Sequence, residues 1–129
     1  MNDHDFEDIV NQALEELPKE FKEKLDNVAI VVSDFPSRDQ AEVLTQKGQS
    51  GFILGLYQGI PQTKRRNYGI GPTLPDKITL FKIPLLRVSS SYEDAVKNIK
   101  DTVIHEIAHH FGMSDEQIHK AKSRKNQAI

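Results

Sequence analysis

The stretch His105-Glu106-Ile107-Ala108-His109-His110-Phe111-Gly112-Met113-Ser114-Asp115 decides how the rest of the chain is read. It opens with the pattern H-E-x-x-H, which on a helix arranges two imidazoles and a carboxylate for zinc chemistry. At about 100° per residue, positions four apart lie one above the other, so both imidazoles face the same ion. With Ile99 as origin, His105 and His109 fall at about 240° and 280°, whereas Val103, Ile104, Ile107 and Phe111 fall between about 40° and 140°. One side of this helix is therefore predicted to pack on a sheet while the other presents histidines to a cleft. Glu106 lies at the edge of the histidine face, within reach of a water at the metal and suited to act as general base.

Catalytic zinc usually takes three protein ligands and keeps one position open. The 129-residue chain has no cysteine, so any metal must be held by His, Asp or Glu, and disulfides and thiolate catalysis are excluded. Gly112 suits the left-handed residue that ends a helix and turns the chain back. Asp115, just inside the next helix, is then the expected third ligand, extending the pattern to H-E-x-x-H-x-x-G-x-x-D. An isolated H-E-x-x-H arises by chance in a chain of this length at below about 1%, and Gly112 with Asp115 lowers that by roughly two further orders of magnitude. An acidic residue in a first turn also suits the helix dipole, which is the bland account of Asp115. His110 is rotated about 100° from His109 and faces away from it, toward packing or solvent. His119, one turn after Asp115, is either a hydrogen-bond partner of that carboxylate or a plain surface histidine. His4 has no assigned role.

Outward from this helix, Phe6, Ile9, Val10, Ala13, Leu14 and Leu17 recur at steps of three and four, the stripe of an amphipathic helix. Pro18 interrupts it and suits the first turn of a short second helix through Phe21 and Leu25. Val28 to Val32 is β-branched and apolar and reads as a buried strand. Ser37 and Gln40 form a capping box for a helix to about Lys47. Phe52 to Tyr57 reads as a second strand, and Ile78 to Ile83 as a third that stops at Pro84. Ser90 and Glu93 form the box for the histidine helix, from about Tyr92 to Phe111. Ser114 and Gln117 cap a closing helix that fades after Lys122, with about 123–129 as a frayed tail. Between Gly59 and Asp76 lies a glycine- and proline-rich loop carrying Lys64, Arg65 and Arg66, read most simply as solvated. No internal repeat or boundary divides the chain, and a single domain over 1–129 is expected.

Hydrophobic residues make up 37% and charged residues 28%, which fits a soluble globular protein. No apolar run approaches the roughly 18 residues of a membrane span. The acidic, polar start Met1-Asn2-Asp3-His4-Asp5 is unlike a secretory signal, so a cytoplasmic location is expected. With 17 basic and 19 acidic residues the formal net charge is −2, which gives no general reason to expect nucleic-acid binding.

The chain resembles the minimal zincin-like metallopeptidases, a family of small bacterial proteins, from about Phe6 to His119. The resemblance rests on Leu17-Pro18, Val28-Ala29-Ile30-Val31-Val32, Leu54-Gly55-Leu56-Tyr57-Gln58-Gly59-Ile60-Pro61 and Leu74-Pro75-Asp76-Lys77-Ile78-Thr79-Leu80, together with His105 to Asp115. It implies an α/β (α+β) fold in which a small mixed sheet packs on the active-site helix, with additional N- and C-terminal helices. It implies one zinc ion held by His105, His109 and Asp115, with Glu106 as catalytic acid/base hydrolysing a peptide or protein substrate. The same donors also accept manganese, iron or cobalt. Two other readings stand beside it. A metal-dependent ribonuclease would share the histidine spacing and draw on Lys64 to Arg66, although such enzymes lack a glutamate after the first histidine. A metal-binding regulatory protein would show no turnover. Tyr57, Tyr68, Arg65 and Arg66 are candidates for stabilising an oxyanion, and β-addition of a peptide to the strand Phe52 to Tyr57 is a candidate mode of substrate binding.

Overall fold

The structure, a computed structural model, describes residues 3–46, 53–59 and 75–127. Helix α1 (Asp3–Glu15) and the short α2 (Lys19–Lys24) precede strand β1 (Val28–Ser33), and α3 (Arg38–Gln46) follows it. Strands β2 (Gly55–Gln58) and β3 (Asp76–Phe81) then lead into α4 (Lys82–Arg87), the long α5 (Tyr92–His110) and the closing α6 (Asp115–Gln127). The strands form one mixed sheet in the order β1-β3-β2, with β1 parallel and β2 antiparallel to β3. This is the α+β architecture expected, with a small sheet packed on the helix that carries the histidines.

Strand alternation on β3 sorts the interior into two layers. Ile78 and Leu80 face a large core shared with Phe6, Ile9, Ala13 and Leu17, Phe21 of α2, and Ile99, Val103 and Ile107 of α5. Phe81, on the opposite face, joins Leu56 and Leu44 under α3. There Gln40 donates through Nε2 to Thr79 Oγ1 and Gln58 Oε1, both at 3.2 Å, so its buried amide is satisfied. The same Gln40 closes the expected capping box, accepting from Ser37 N–H at 3.0 Å while its own N–H donates to Ser37 Oγ at 3.1 Å.

Several expectations are corrected. The strand read as buried, Val28 to Val32, is an edge strand among the described residues, and Val31 and Val32 are each 39% exposed. The third strand ends at Phe81 rather than Ile83, and Pro84 sits in the first turn of α4. That position needs no intrahelical N–H, so the proline fits a helix start. The orphan N–H of Ile83 donates instead to the Asp34 carbonyl at 3.2 Å. Strand β2 begins at Gly55, and Phe52 lies outside the described residues. The cap of α5 is displaced by one residue. Ser91 Oγ accepts from Asp94 N–H at 3.1 Å, and Asp94 Oδ2 accepts from Ser90 N–H at 2.9 Å. The closing helix continues to Gln127 rather than fading after Lys122, through residues of which most have good helix propensity. No described helix is long and apolar enough to cross a membrane.

Candidate metal centre

Helix α5 presents two faces, as its periodicity predicts. Val103, Ile104, Ile107 and Ala108 are buried on one side, and His105 and His109 are exposed on the other. The histidine rings lie against each other with centroids 4.1 Å apart and planes tilted by 44°. Two adjacent imidazoles projecting from a rigid helix are donors of the type that could hold a zinc ion. Phe111 departs from its predicted burial and is 48% exposed. It is the C-cap of α5, already leaving the helical path, and Lys24 Nζ lies 5.1 Å from its ring centroid.

The end of α5 takes the form that Gly112 implies. Gly112 has φ +65°, its N–H donates to His109 O at 3.3 Å, and Met113 N–H donates to Ala108 O at 2.9 Å. Those two bonds are the Schellman arrangement, which satisfies terminal carbonyls and reverses the chain. The chain then enters α6 through the expected box, in which Gln117 N–H donates to Ser114 Oγ at 3.1 Å and Ser114 N–H to Gln117 Oε1 at 2.8 Å. Asp115 is therefore the first residue of α6 and is exposed, as is His119 one turn later. Among the described residues no three His, Asp or Glu side chains converge on one point. The structure pairs His105 with His109 and does not gather Asp115 with them.

Glu106 is placed by a contact that the sequence does not reveal. Its Oε1 accepts the backbone N–H of Tyr57, on β2, at 2.9 Å. Strand and helix run side by side with matched steps. A Cβ built on Gly55 would lie 2.7 Å from Thr102 Cγ2, Tyr57 meets Glu106, and a Cβ built on Gly59 would lie 3.7 Å from His110 Cε1. Two strand residues advance about 6.8 Å and four helix residues about 6.0 Å, so each second residue of β2 meets each fourth residue of α5.

Gly55 permits this approach, because any side chain there would strike Thr102 and lie 3.1 Å from the Thr79 carbonyl oxygen. Gly55→Ala is expected to lower stability by about 1–3 kcal/mol through overpacking. Combining it with Thr102→Ser, which removes Cγ2 but keeps the hydroxyl that donates to Asn98 O at 2.7 Å, recovers part of that loss in chemical denaturation. An equal or greater loss in the double variant would place the strain elsewhere.

Tyr57 is itself held at several points. Its hydroxyl donates to Asp76 Oδ2 at 2.8 Å, and its ring stacks on His110 with centroids 4.0 Å apart and planes within 15°. His110 Nε2 lies 3.9 Å from the same carboxylate oxygen. The single hydroxyl proton of Tyr57 is thus committed, which removes its side chain from the oxyanion candidates. The N–H of Tyr57 is likewise taken by Glu106, so β2 offers no free donor there to an added strand. Lys64, Arg65, Arg66 and Tyr68 lie outside the described residues.

Neither Tyr57 nor Asp76 carries a sequence signal for this arrangement, because it depends on the register of β2 against β3 and against α5. In that register Tyr57 opposes Ile78, which leaves Asp76 as its diagonal neighbour on the same face.

No curated protein matches the chain. The model of the zincin-like metallopeptidase family matches residues 25–124, which take in every described strand, the histidine helix and Asp115. A match over that much of the chain, on a fold that pairs two histidines of an H-E-x-x-H helix beside an anchored glutamate, means that the chain belongs to the zincin-like metallopeptidase family.

Proposed function

We propose that the chain is a zinc-dependent peptidase in which His105, His109 and Asp115 hold the metal and Glu106 is the general base. The observation that carries this reading is the geometry of α5: two exposed imidazoles 4.1 Å apart, with the carboxylate of the intervening Glu106 fixed on β2. The donor set suits zinc, since two neutral nitrogens and one carboxylate leave a position for substrate or water. Bound zinc supplies Lewis acidity, bringing the pKa of a coordinated water to about 7 and polarising the scissile carbonyl.

The chain's own residues do the remaining work. Oε1 of Glu106 accepts the Tyr57 N–H, which holds the carboxylate in place to take the proton of the attacking water and pass it to the leaving amine. The buried face of α5 keeps the imidazoles and the carboxylate on one rigid element, which favours a fixed attack geometry over one that must be assembled. Asp115, at the head of α6 beyond the Gly112 turn, would be the third donor. The family supports a peptide or protein as substrate.

The test is cleavage of a peptide library and of structured RNA by the zinc-loaded protein. Peptide cleavage is expected. Cleavage of RNA alone would make the protein a nuclease, and metal binding without any cleavage would make it a regulatory protein. Asp115→Ala is expected to weaken zinc affinity by more than about 100-fold in a chelator competition, beyond the roughly 10- to 100-fold seen when only a supporting partner is removed. Unchanged affinity would assign the third donor to another residue.

A further inference from the structure

We propose that Tyr57, pinned by Asp76 and His110, is the positioning residue that fixes the carboxylate of Glu106. This proposal rests on the reading of Glu106 as general base. In the antiparallel pair of β2 and β3, Phe81 N–H donates to Leu54 O at 2.9 Å, which makes 54 and 81 a hydrogen-bonded pair. Hydrogen-bonded and non-bonded pairs alternate, so 56 and 79 are bonded and Tyr57, opposite Ile78, turns its N–H away from β3. That outward N–H is the one that Glu106 accepts. A strand-edge donor has been turned into a fixed socket for one oxygen of a glutamate on another element.

The socket is only as well placed as the residue that carries it. Tyr57 is 6% exposed, and its side chain is held at both ends. The hydroxyl is tied to Asp76 at the start of β3, and the ring lies flat against His110, one turn beyond Glu106 on the same face of α5. Glu106 and His110 thus form a row on α5 beside the row of His105 and His109, and Tyr57 touches both members of the first row. Moving the tyrosine ring moves the N–H that orients the base. A glutamate free to swing keeps its charge but loses the aligned proton-transfer geometry, and misplacement by about 1 Å is enough to cost a hundredfold in rate.

The experiment has one arm that needs no turnover and one that does. In amide hydrogen exchange, the residue 57 amide is expected to be protected in the wild type and to exchange much faster in Glu106→Ala, while the Leu56 amide, bonded into the ladder, stays slow in both. Tyr57→Phe and Asp76→Ala should also speed exchange at residue 57, and Asp76→Asn, whose amide oxygen still accepts from the hydroxyl, should do so less. In peptide hydrolysis, Tyr57→Phe and Asp76→Ala are expected to lower kcat by roughly ten- to hundredfold with KM and zinc affinity retained, and Asp76→Asn should keep more of kcat than Asp76→Ala. Protection at residue 57 that survives Glu106→Ala would show that the amide is held by something else and overturn the proposal. So would faster exchange in Tyr57→Phe and Asp76→Ala with kcat unchanged. If the wild type cleaves no peptide, the peptidase reading fails on its own, and the exchange arm still decides whether Tyr57 holds Glu106.

Discussion

Glu106→Gln is expected to lower kcat for peptide hydrolysis by roughly 10²- to 10⁴-fold, the usual contribution of a positioned proton-transfer group, while zinc binding and the fold are retained. The substitution is close to isosteric, and the amide oxygen of glutamine can still accept the Tyr57 N–H that meets Glu106 Oε1 at 2.9 Å. The side chain therefore stays in its socket, and only the ability to take a proton is lost. Because His105 and His109 form their pair independently of Glu106, zinc stoichiometry measured on the same preparation should match the wild type. A rate loss with the metal retained separates the base from the ligands. A variant that binds zinc and cleaves peptides at the wild-type rate would exclude Glu106 as base.

The second large effect is expected on the opposite face of the same helix. Ile107 is fully buried in the main core, so Ile107→Ala removes packed methylenes and leaves a cavity that the surrounding core only partly fills. A loss of about 2–5 kcal/mol follows, which is a large share of the roughly 5–15 kcal/mol that stabilises a typical domain. The melting temperature should fall by roughly 10–20 °C. Well below the new midpoint, kcat should change by no more than a few-fold, since the histidines project from the other side of α5 and Glu106 from its edge. Glu106→Gln and Ile107→Ala should therefore give opposite profiles, one losing turnover at constant stability and the other losing stability with turnover kept. A small change in melting temperature for Ile107→Ala would contradict the core assigned to α5.

Most of what fixes the site is local and was legible in the sequence. A helix has one periodicity, so the opposed faces of α5 follow from the order of Val103, His105, Ile107 and His109 alone. The same is true of the turn at Gly112, where a residue free to adopt positive φ precedes a Ser-x-x-Gln box, and of the Ser37–Gln40 cap. Where two local signals overlap, the sequence is ambiguous. Ser90 and Ser91 precede Glu93 and Asp94, and either pairing satisfies the capping pattern, whereas the structure uses Ser91 with Asp94. Pro84 carries two meanings, ending a strand or opening a helix, and only the Asp34 carbonyl that takes the Ile83 N–H distinguishes them.

What was not legible depends on which elements become neighbours. The run Val28 to Val32 has the β-branched composition of a strand, but composition does not say whether another strand lies on each side of it, and β1 proves to be an edge among the described residues. The tether between Tyr57 and Glu106 joins residues 49 apart through a backbone donor, and backbone donors are present at every non-proline position, so no side-chain pattern marks this one. The helical phase of His110 turns it away from His109, and in the structure it stacks on Tyr57. That partner became visible only with the register of β2 against α5.

The central claim is that α5 holds a zinc ion through His105 and His109. Zinc K-edge X-ray absorption on the purified protein loaded with one equivalent of zinc tests it directly. The expected spectrum shows two imidazole nitrogens at about 2.0–2.1 Å with the remaining scatterers oxygen, and His105→Ala and His109→Ala should each remove one imidazole from the shell. A shell without imidazole, or one that neither substitution alters, would contradict the assignment.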